Sequence, residues 1–362
     1  MIDFRNEPEE LIQKELKACE RVLRSGWWIL GKELKSFENE WAKWTKSPFV
    51  IGCGNGMDAI EIGLRALEIG IGDEVITTPM TAFATVLAIL KVGAVPVLAD
   101  IDKATAMLSP DSVLRCINRK TKAIILVHLY GQIGPVHLLK KLADQNNIYL
   151  IEDCAQAHGA RYGNIQAGGF GKFASWSFYP TKNLGAIGDA GAISTADEEL
   201  AIKMFSIRNY GQSVRYHHPY IGMNSRLDEL QAAILLERLN YLDEWIKNRQ
   251  KIARRYINEI NNNAIKTLKV HSDENAHSYH IFAILCDRRV ELQKHLYDSG
   301  VESLIHYPIP VHFQVPCKDI KRDPYGLKNA ETHANECLSI PCHPYLNNEK
   351  INKVIEAINL FN

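Results

Sequence analysis

The sequence centres on Ser175-Trp-Ser-Phe-Tyr-Pro-Thr-Lys-Asn-Leu-Gly-Ala-Ile-Gly-Asp-Ala-Gly191, a run of small, aromatic and glycine residues with one lysine, Lys182. Most lysines are solvated surface groups. The flanks of Lys182 lack the charged residues of such a surface and favour a dry, shaped pocket. In that setting a lysine loses its proton more readily and can attack a carbonyl carbon to form a Schiff base.

A second signal lies upstream, where Asn147-Ile-Tyr-Leu-Ile-Glu-Asp153 is typical of a buried strand that ends in two carboxylates. Strand-end acids collect at the sites of α/β folds, although Asp153 could instead cap a helix that begins at Cys154. Pyridoxal phosphate needs an amine for its aldehyde and an anion for its ring nitrogen. The sequence therefore predicts this cofactor, with Lys182 and Asp153 as the catalytic pair.

Composition indicates a soluble globular chain that is long enough for two domains. It has 362 residues, 46% of them hydrophobic, and its 42 basic side chains balance 42 acidic ones. This balance predicts no nucleic-acid or membrane partner. The eight cysteines form no Cys-x-x-Cys pair and the charged start is unlike a secretory signal, so we expect reduced thiols in a cytoplasm. No metal site is expected, because His277-Ser-Tyr-His280 lacks a cysteine or acid partner.

Strand-like and helical patterns alternate through the first two thirds of the chain. Seven strands are predicted, at residues 49–53, 74–78, 95–99, 123–128, 148–151, 173–177 and 191–194. Helical periodicity lies between them and before the first strand. Such alternation predicts an α/β fold with a mostly parallel seven-stranded sheet, whose ligands gather at the carboxyl ends of the strands.

The pattern changes after Leu227. One long helical stretch is predicted to run from there to about residue 261, and short strands and helices follow it. We expect a large domain over residues 1–245 and a smaller α+β domain over residues 246–362. The N-terminal segment is expected to pack beside the small domain.

A glycine-rich turn, Gly52-Cys-Gly-Asn-Gly-Met-Asp58, follows the first predicted strand and opens a helix. Backbone amides at such a turn bind phosphate well. A dinucleotide fingerprint is the rival interpretation, but it would need a glycine where Met57 stands. The turn therefore suits a single phosphate monoester, although glycines after a strand often only form a turn.

Several blocks together resemble one known family. Ile151-Glu-Asp-Cys-Ala-Gln-Ala-His-Gly159 and Ser177-Phe-Tyr-Pro-Thr-Lys-Asn-Leu-Gly185 are similar to signature blocks of the DegT/DnrJ/StrS-type sugar aminotransferases. The similarity extends over nearly the whole chain, through Val127-His-Leu-Tyr-Gly-Gln132 and His306-Tyr-Pro-Ile-Pro-Val-His312. It implies a pyridoxal-phosphate enzyme of fold type I, the aspartate-aminotransferase fold.

The resemblance also implies roles for individual residues. Lys182 would hold the cofactor as a Schiff base, Asp153 would pair with its ring nitrogen, and Gln156 would bond its phenolic oxygen. Its phosphate would be bound by three further positions: the backbone of Gly56 and Met57 and the hydroxyl of Ser177. Asn224 would reach that phosphate from a neighbouring subunit, which implies a homodimer with shared active sites. Asn224 could equally be a loop or helix-cap residue before Leu227.

One block departs from the family pattern. Most relatives carry an aromatic residue that stacks on the cofactor directly after the threonine equivalent to Thr81. Here Ala82 stands at that position, and Phe83, one place later, is the candidate replacement. This form of the block is similar to members that aminate carbon 3 of a dTDP-3-keto-6-deoxyhexose, with glutamate as the amino donor. Amination of a 4-keto sugar or of a UDP-3-keto sugar remains open.

Five histidine or tyrosine residues are candidate contacts for the nucleotide-sugar substrate: His306, Tyr307, His312, His158 and His128. For the first three the alternative is a proline-shaped turn with exposed rings. A dehydratase of the same family would carry histidine in place of Lys182. A non-catalytic regulatory protein that binds the cofactor is the other alternative, against which the retained Lys182, Asp153 and Gln156 argue.

Overall fold

The computed structural model describes residues 4–362. Its α-helices are α1 (Glu9–Ser25), α2 (Lys32–Thr45), α3 (Gly56–Ala66), α4 (Phe83–Lys91), α5 (Pro110–Cys116), α6 (Val136–Asn146), α7 (Glu198–Ile207), α8 (Glu229–Leu239), α9 (Leu242–Glu259), α10 (Arg289–Asp298), α11 (Lys328–Glu336) and α12 (Asn348–Asn359). Its strands are β1 (Phe49–Cys53), β2 (Glu74–Thr77), β3 (Val95–Leu98), β4 (Thr121–Val127), β5 (Tyr149–Asp153), β6 (Arg161–Tyr162), β7 (Ile165–Gln166), β8 (Ala174–Ser177), β9 (Gly191–Thr195), β10 (Lys266–Thr267), β11 (Phe282–Leu285), β12 (Lys321–Arg322) and β13 (Cys337–Ile340).

The large sheet has eight strands in the order β1-β9-β8-β5-β4-β2-β3-β12. The pairs from β8 to β12 are parallel, whereas β9 runs antiparallel to both β1 and β8. All seven predicted strands are present in this sheet, and the predicted mostly parallel α/β class is confirmed.

The eighth strand, β12, was not predicted. It pairs in parallel with β3 and comes from the C-terminal third of the chain. The N–H of Asp323 donates to the carbonyl of Leu98 at 2.8 Å, and Nε of Arg115 donates to the Asp323 carboxylate at 3.0 Å. The two residues of β12, Lys321 and Arg322, are exposed and charged, and so short a segment carries no periodic signal. Only the tertiary contacts identify it as a strand.

Hydrophobic clusters cover both faces of the large sheet. In β4, Ile124 and Leu126 pack into one cluster, and Ala123 and Ile125 pack into the other. This alternation follows from the two-residue period of a strand, and burial on both faces explains why β4 is almost continuously apolar.

Three strands end at the same edge of the sheet. Cys53 ends β1 and Ser177 ends β8, and both pair with Gly191, the first residue of β9. Asp153 ends β5, which runs parallel to β8. The segments that follow these strands therefore meet at the carboxyl edge, where parallel sheets place their ligands.

The small domain is built on the antiparallel sheet β10-β11-β13, as predicted for an α+β unit. Its core includes Ile252 and Tyr256 of α9. The expected single helix after Leu227 is instead two helices, α8 and α9, which are separated at Asn240 and Tyr241. The division at residue 246 stays a prediction, and the core position of the C-terminal half of α9 supports it.

The N-terminal helix packs on α8, and the segment before it lies next to the small domain, where Phe4 and Glu7 line a cavity with Pro344 and Tyr345. Ala18 and Val22 of α1 pack against Ala233 of α8. Arg238 of α8 joins the same contact, because its Nε donates to the carboxylate of Glu15 at 2.5 Å. Amphipathic periodicity identifies the buried face of a helix but not the surface that covers it.

None of the helices within residues 4–362 combines the length and the apolar character needed to cross a bilayer.

Candidate active site

Lys182 lies in the turn between β8 and β9. Its N–H donates to the carbonyl of Tyr179 at 2.8 Å, and the N–H of Ala186 donates to the carbonyl of Phe178 at the same distance. Burial lowers the pKa of Lys182 from 10.5 to about 8, while the nearby Asp153 carboxylate opposes this shift. The turn therefore presents an amine that is partly unprotonated near neutral pH.

Asp153 is buried at the end of β5. Its carboxylate accepts hydrogen bonds from Oγ1 of Thr85 at 2.8 Å and from the N–H of Ala155 at 3.1 Å. Burial raises the pKa of Asp153, and these two hydrogen bonds together with Lys182 act in the opposite direction. A carboxylate held in a low-dielectric site gains most from a cationic partner, such as a protonated ring nitrogen.

Sequence reasoning missed a pair of threonine hydroxyls beside Asp153. Oγ1 of Thr81 lies 2.8 Å from Oγ1 of Thr85, which in turn donates to Asp153. The spacing of four residues was the available signal, because it places both side chains on one side of the backbone at the start of α4. The two hydroxyls fix the orientation of the carboxylate.

The predicted phosphate site forms where β1 meets α3. Asn55 caps α3 by accepting a hydrogen bond from the N–H of Asp58 at 2.9 Å. A Cβ on Gly56 would lie 2.8 Å from Cβ of Ser177, so glycine permits this close approach. The side chain of Met57 packs against a hydrophobic cluster, and its backbone belongs to the first turn of α3. The helix N-terminus and the Ser177 hydroxyl thus form a cradle suited to an anion.

Asn224, the predicted phosphate contact of a second subunit, is exposed in this chain. Its neighbour Ser225 is fixed beside the cradle, because Oγ of Ser225 accepts from the N–H of Gly54 at 3.0 Å and donates to Asp58 at 2.7 Å. The assignment of Asn224 to a neighbouring active site stays a prediction.

Gln156 contacts Tyr307 of the small domain near Asp153. Its Nε2 donates to Oη of Tyr307 at 3.1 Å. Burial, with a contribution from Asp153, raises the pKa of Tyr307 to about 12. Burial and the positive charge of Lys182 lower the pKa of His306 to about 4. The structure therefore places Gln156, His306 and Tyr307 near Lys182 and Asp153, and their roles toward cofactor and substrate stay predictions.

Two predicted substrate contacts, His128 and His158, need correction because both are fully buried. Nε2 of His128 lies 2.9 Å from Oε2 of Glu152, and its Nδ1 accepts from the N–H of Gly134 at 3.2 Å, so both ring nitrogens are engaged. The His158 ring packs among Trp41 and other aromatic rings, and burial lowers its pKa to about 3. Both histidines support the fold behind the pocket.

His312 and Phe83 also lie elsewhere than predicted. His312 is buried with its Nε2 3.1 Å from Oε1 of Glu331. Phe83 packs against the hydrophobic cluster that contains Val311 and Cys317. Because residues two apart on a helix face opposite sides, Phe83 points away from the Asp153 side that Thr85 faces. Phe83 therefore does not supply the stacking ring that Ala82 lacks.

The donors and acceptors of this pocket fit pyridoxal phosphate. An amine with a lowered pKa, a buried carboxylate and a helix N-terminus lie at one sheet edge, matching the aldehyde, ring nitrogen and phosphate of that molecule. The fold and the site together define a pyridoxal-phosphate enzyme of fold type I.

The chain belongs to the DegT/DnrJ/EryC1/StrS aminotransferase family, whose model matches residues 9–359. This family comprises pyridoxal-phosphate-dependent sugar-nucleotide aminotransferases, so the predicted family, enzyme class and cofactor are confirmed.

Individual proteins show how close the similarity is. The chain is 42% identical over 350 residues to the dTDP-3-amino-3,6-dideoxy-alpha-D-galactopyranose transaminase of Aneurinibacillus thermoaerophilus, covering 96% of each chain. It is 39% identical over 357 residues to the UDP-2-acetamido-2-deoxy-3-oxo-D-glucuronate aminotransferase of Pseudomonas aeruginosa, covering 99% of this chain and 98% of that one. The crystal structure of S. venezuelae DesV in complex with a ketimine intermediate matches with a TM-score of 0.95 and 39% identity, over 99% of this chain and 96% of that one.

The lowered pKa of Lys182 predicts how cofactor loading depends on pH. Only the unprotonated amine attacks an aldehyde, so loading of the cofactor-free protein should speed up about tenfold per pH unit and level off above pH 8 or so. Stopped-flow absorbance after mixing with pyridoxal phosphate would measure the profile. A midpoint near 10.5, the ordinary lysine value, would contradict the burial of this amine.

The same shift has a consequence for stability. Between pH 8 and 10.5 the unfolded chain holds a proton on Lys182 that the folded, cofactor-free protein has lost. Because the unfolded state binds more protons in this window, the contribution of Lys182 to stability rises with pH there.

Proposed function

We propose that the protein transfers an amino group from L-glutamate to a dTDP-3-keto-6-deoxyhexose, giving a 3-amino sugar nucleotide. The observation that carries this proposal is the pairing of Lys182 with Asp153 at the carboxyl edge of the sheet. The similarity to a dTDP-3-amino sugar transaminase over 96% of the chain supports the choice of nucleotide and of carbon 3. The Thr81-Ala-Phe-Ala-Thr85 block supports the same choice by its resemblance to 3-aminating members.

Each residue at the site has a proposed role. Pyridoxal phosphate, when bound, supplies an electron sink for the carbon that loses a proton. The Nζ of Lys182 takes the proton from the α-carbon of the amino donor and, in the return direction, delivers a proton to the sugar carbon. Asp153 holds a positive charge on the ring nitrogen, and Gln156 donates to the phenolic oxygen. His306 and Tyr307 bind the sugar nucleotide.

We also propose a homodimer in which Asn224 of the partner subunit completes the phosphate site formed by Gly56, Met57 and Ser177. The exposure of Asn224 in the single chain leaves its side chain available for such a contact. Exposed apolar side chains near it, such as Tyr216 and Ile221, would be buried by a second subunit.

A UDP-3-keto sugar is the second candidate substrate. It is favoured by the 39% identity to a UDP-3-oxo-glucuronate aminotransferase over 99% of the chain. A 4-keto sugar nucleotide and a regulatory role without turnover remain alternatives. The intact set of Lys182, Asp153 and Gln156 supports catalysis over the regulatory role.

A two-step assay tests the proposal. Glutamate alone should shift the visible absorbance of the cofactor-loaded protein, and a keto sugar nucleotide should then restore it, with ping-pong kinetics. In a panel of dTDP-3-keto, dTDP-4-keto and UDP-3-keto sugars, we expect kcat/KM for the dTDP-3-keto sugar to exceed the others by about tenfold or more.

Each other result selects an alternative. A higher kcat/KM for the UDP-linked or the 4-keto sugar would assign the protein to that substrate instead. A protein that binds the cofactor but shows no half-reaction with any amino donor would be a regulatory protein. Sedimentation of the loaded protein at the mass of one chain would contradict the shared site.

A further inference from the structure

A closed ring of hydrogen bonds joins Gln156 to the small domain through Tyr130. The N–H of Tyr130 donates to Oε1 of Gln156 at 2.6 Å, and Nε2 of Gln156 donates to Oη of Tyr307 at 3.1 Å. Oη of Tyr130 donates to the carbonyl of His306 at 2.5 Å, and His306 is bonded to Tyr307 in the chain. Tyr130 is 1% exposed, and none of the roles assigned above uses it.

The backbone around Tyr130 is held in an unfavourable conformation to make this ring. Tyr130 has φ 61° and Gly131 has φ 96°, both in the left-handed region. A Cβ on Gly131 would lie 2.6 Å from Oγ of Ser278 and 2.9 Å from the carbonyl oxygen of Gln156. The N–H of Ile281 donates to the carbonyl of Tyr130 at 3.2 Å. These contacts aim the N–H of Tyr130 at the Gln156 side chain.

The atoms in this ring of hydrogen bonds determine which partner donates the proton in each bond. A backbone N–H can only donate, so Gln156 turns Oε1 to Tyr130 and Nε2 to Tyr307. A carbonyl can only accept, so the Tyr130 hydroxyl gives its proton to His306. Nε2 of His333 lies 2.9 Å from the same hydroxyl oxygen and must therefore donate to it. Tyr307 accepts from Gln156, which leaves its own proton for a ligand.

We propose that Tyr130 is a positioning residue that couples the cofactor-facing amide of Gln156 to the substrate-facing segment His306–Tyr307. Its backbone sets the donor orientation of the amide, and its hydroxyl holds the segment so that the Tyr307 phenol points a proton at the ligand. The assignment of the ligand as a keto sugar nucleotide rests on the proposed function. The coupling itself is a property of the chain and can be tested without that ligand.

Tyr130→Phe tests the coupling by removing the hydroxyl oxygen while retaining the aromatic side chain and the backbone N–H. We expect the glutamate half-reaction to stay within about twofold of the wild type, because Lys182 and Asp153 are untouched. The KM for the keto sugar nucleotide should rise about tenfold, since the His306 carbonyl loses its close hydroxyl donor and keeps only the longer contact with Sγ of Cys337 at 3.8 Å. Amide hydrogen exchange over residues 304–309 should become faster with the cofactor present and absent.

Tyr256→Phe is the matched control. Oη of Tyr256 donates to the carbonyl of Pro341 at 2.7 Å in the buried core of the small domain, so the variant also loses one buried hydrogen bond. We expect lower thermal stability with unchanged KM and unchanged exchange over residues 304–309. A double-mutant cycle of Tyr130→Phe with Tyr307→Phe should be non-additive, because both hydroxyls act through one ring.

Three results would overturn the coupling. They are unchanged KM and exchange in Tyr130→Phe, equal slowing of both half-reactions, and additivity in the cycle. If no keto sugar nucleotide were turned over, the proposed function would fail, and exchange over residues 304–309 would still decide the role of Tyr130. Unchanged exchange would then reject the coupling, and faster exchange would support it.

Discussion

Lys182→Ala is expected to lower kcat for amino transfer by about 10⁴-fold or more while the folded protein still binds pyridoxal phosphate. The variant loses the amine that moves the proton, but the phosphate cradle at Gly56 and Ser177 and the carboxylate of Asp153 are retained. Turnover with glutamate and a keto sugar nucleotide would give kcat, and equilibrium dialysis would give the cofactor content. Borohydride reduction followed by peptide mapping should label position 182 in the wild type only.

Lys172→Ala is the matched control for this variant. Lys172 precedes β8, at the edge of the sheet opposite the pocket, and its Nζ lies 2.5 Å from the carboxylate of Asp197. Its loss removes a partly exposed ion pair, so kcat should remain near the wild-type value. Activity of Lys182→Ala above about 1% of the wild type would exclude Lys182 from the chemical step.

Asp153→Asn is expected to lower kcat by about 10²- to 10³-fold. A neutral amide of the same shape cannot hold a positive charge on the ring nitrogen, so electron withdrawal from the reacting carbon weakens. The side-chain oxygen of asparagine can accept from Thr85 or from the N–H of Ala155 but not from both, so the variant also loses one of these two hydrogen bonds. Single-turnover absorbance with glutamate would isolate the proton-transfer step from sugar binding.

The stability of the cofactor-free Asp153→Asn protein gives a second measurement. Burial raises the pKa of Asp153, so the folded protein holds this proton more tightly than the unfolded chain does. The contribution of Asp153 to the stability of the wild type therefore falls as the pH rises above the usual aspartate pKa of about 4, and the variant should lack this contribution. Thermal unfolding from pH 4 to 8 would reveal the difference.

Asp323→Asn is a control at a carboxylate outside the pocket, where the pKa is lowered rather than raised. Burial would raise the pKa of Asp323, but hydrogen bonds from Arg115 and Ser112 hold it below the usual range. This variant should lose stability while kcat stays near the wild type, because the pair anchors β12 and not the pocket. Equal loss of kcat in both aspartate variants would mean that Asp153 acts only through folding.

The fold was largely predictable because its signals are local. The strands of the large sheet are short apolar runs bounded by turns, and their alternation with helices specifies a parallel sheet. Strand ends then located Asp153, and the glycine turn located Gly56. The clustering of both with Lys182 follows from the shared direction of β1, β5 and β8.

The residues that were misplaced depend on contacts between distant segments. In the sequence, a buried histidine cannot be told from a histidine that lines a pocket. His128, His158 and His312 are buried because they pack against Glu152, Trp41 and Glu331, respectively, and the sequence does not show these contacts. The Thr81–Thr85 pair and the ring of hydrogen bonds around Tyr130 were missed for the same reason. The four-residue spacing of Thr81 and Thr85 indicates only their contact with each other, whereas the other partners of the Thr85 and Tyr130 hydroxyls lie 68 and 176 residues away in the chain.

The two-residue strand β12 also bears on how the protein is made. It covers the outer backbone of β3, and its basic side chains discourage any further strand from adding there. More than two hundred residues separate the two partners, so a ribosome completes β3 long before the strand that closes it exists. Until β12 is synthesised, β3 has no partner on this side and can pair with a strand of another chain. The last third of the polypeptide supplies the strand that covers this edge.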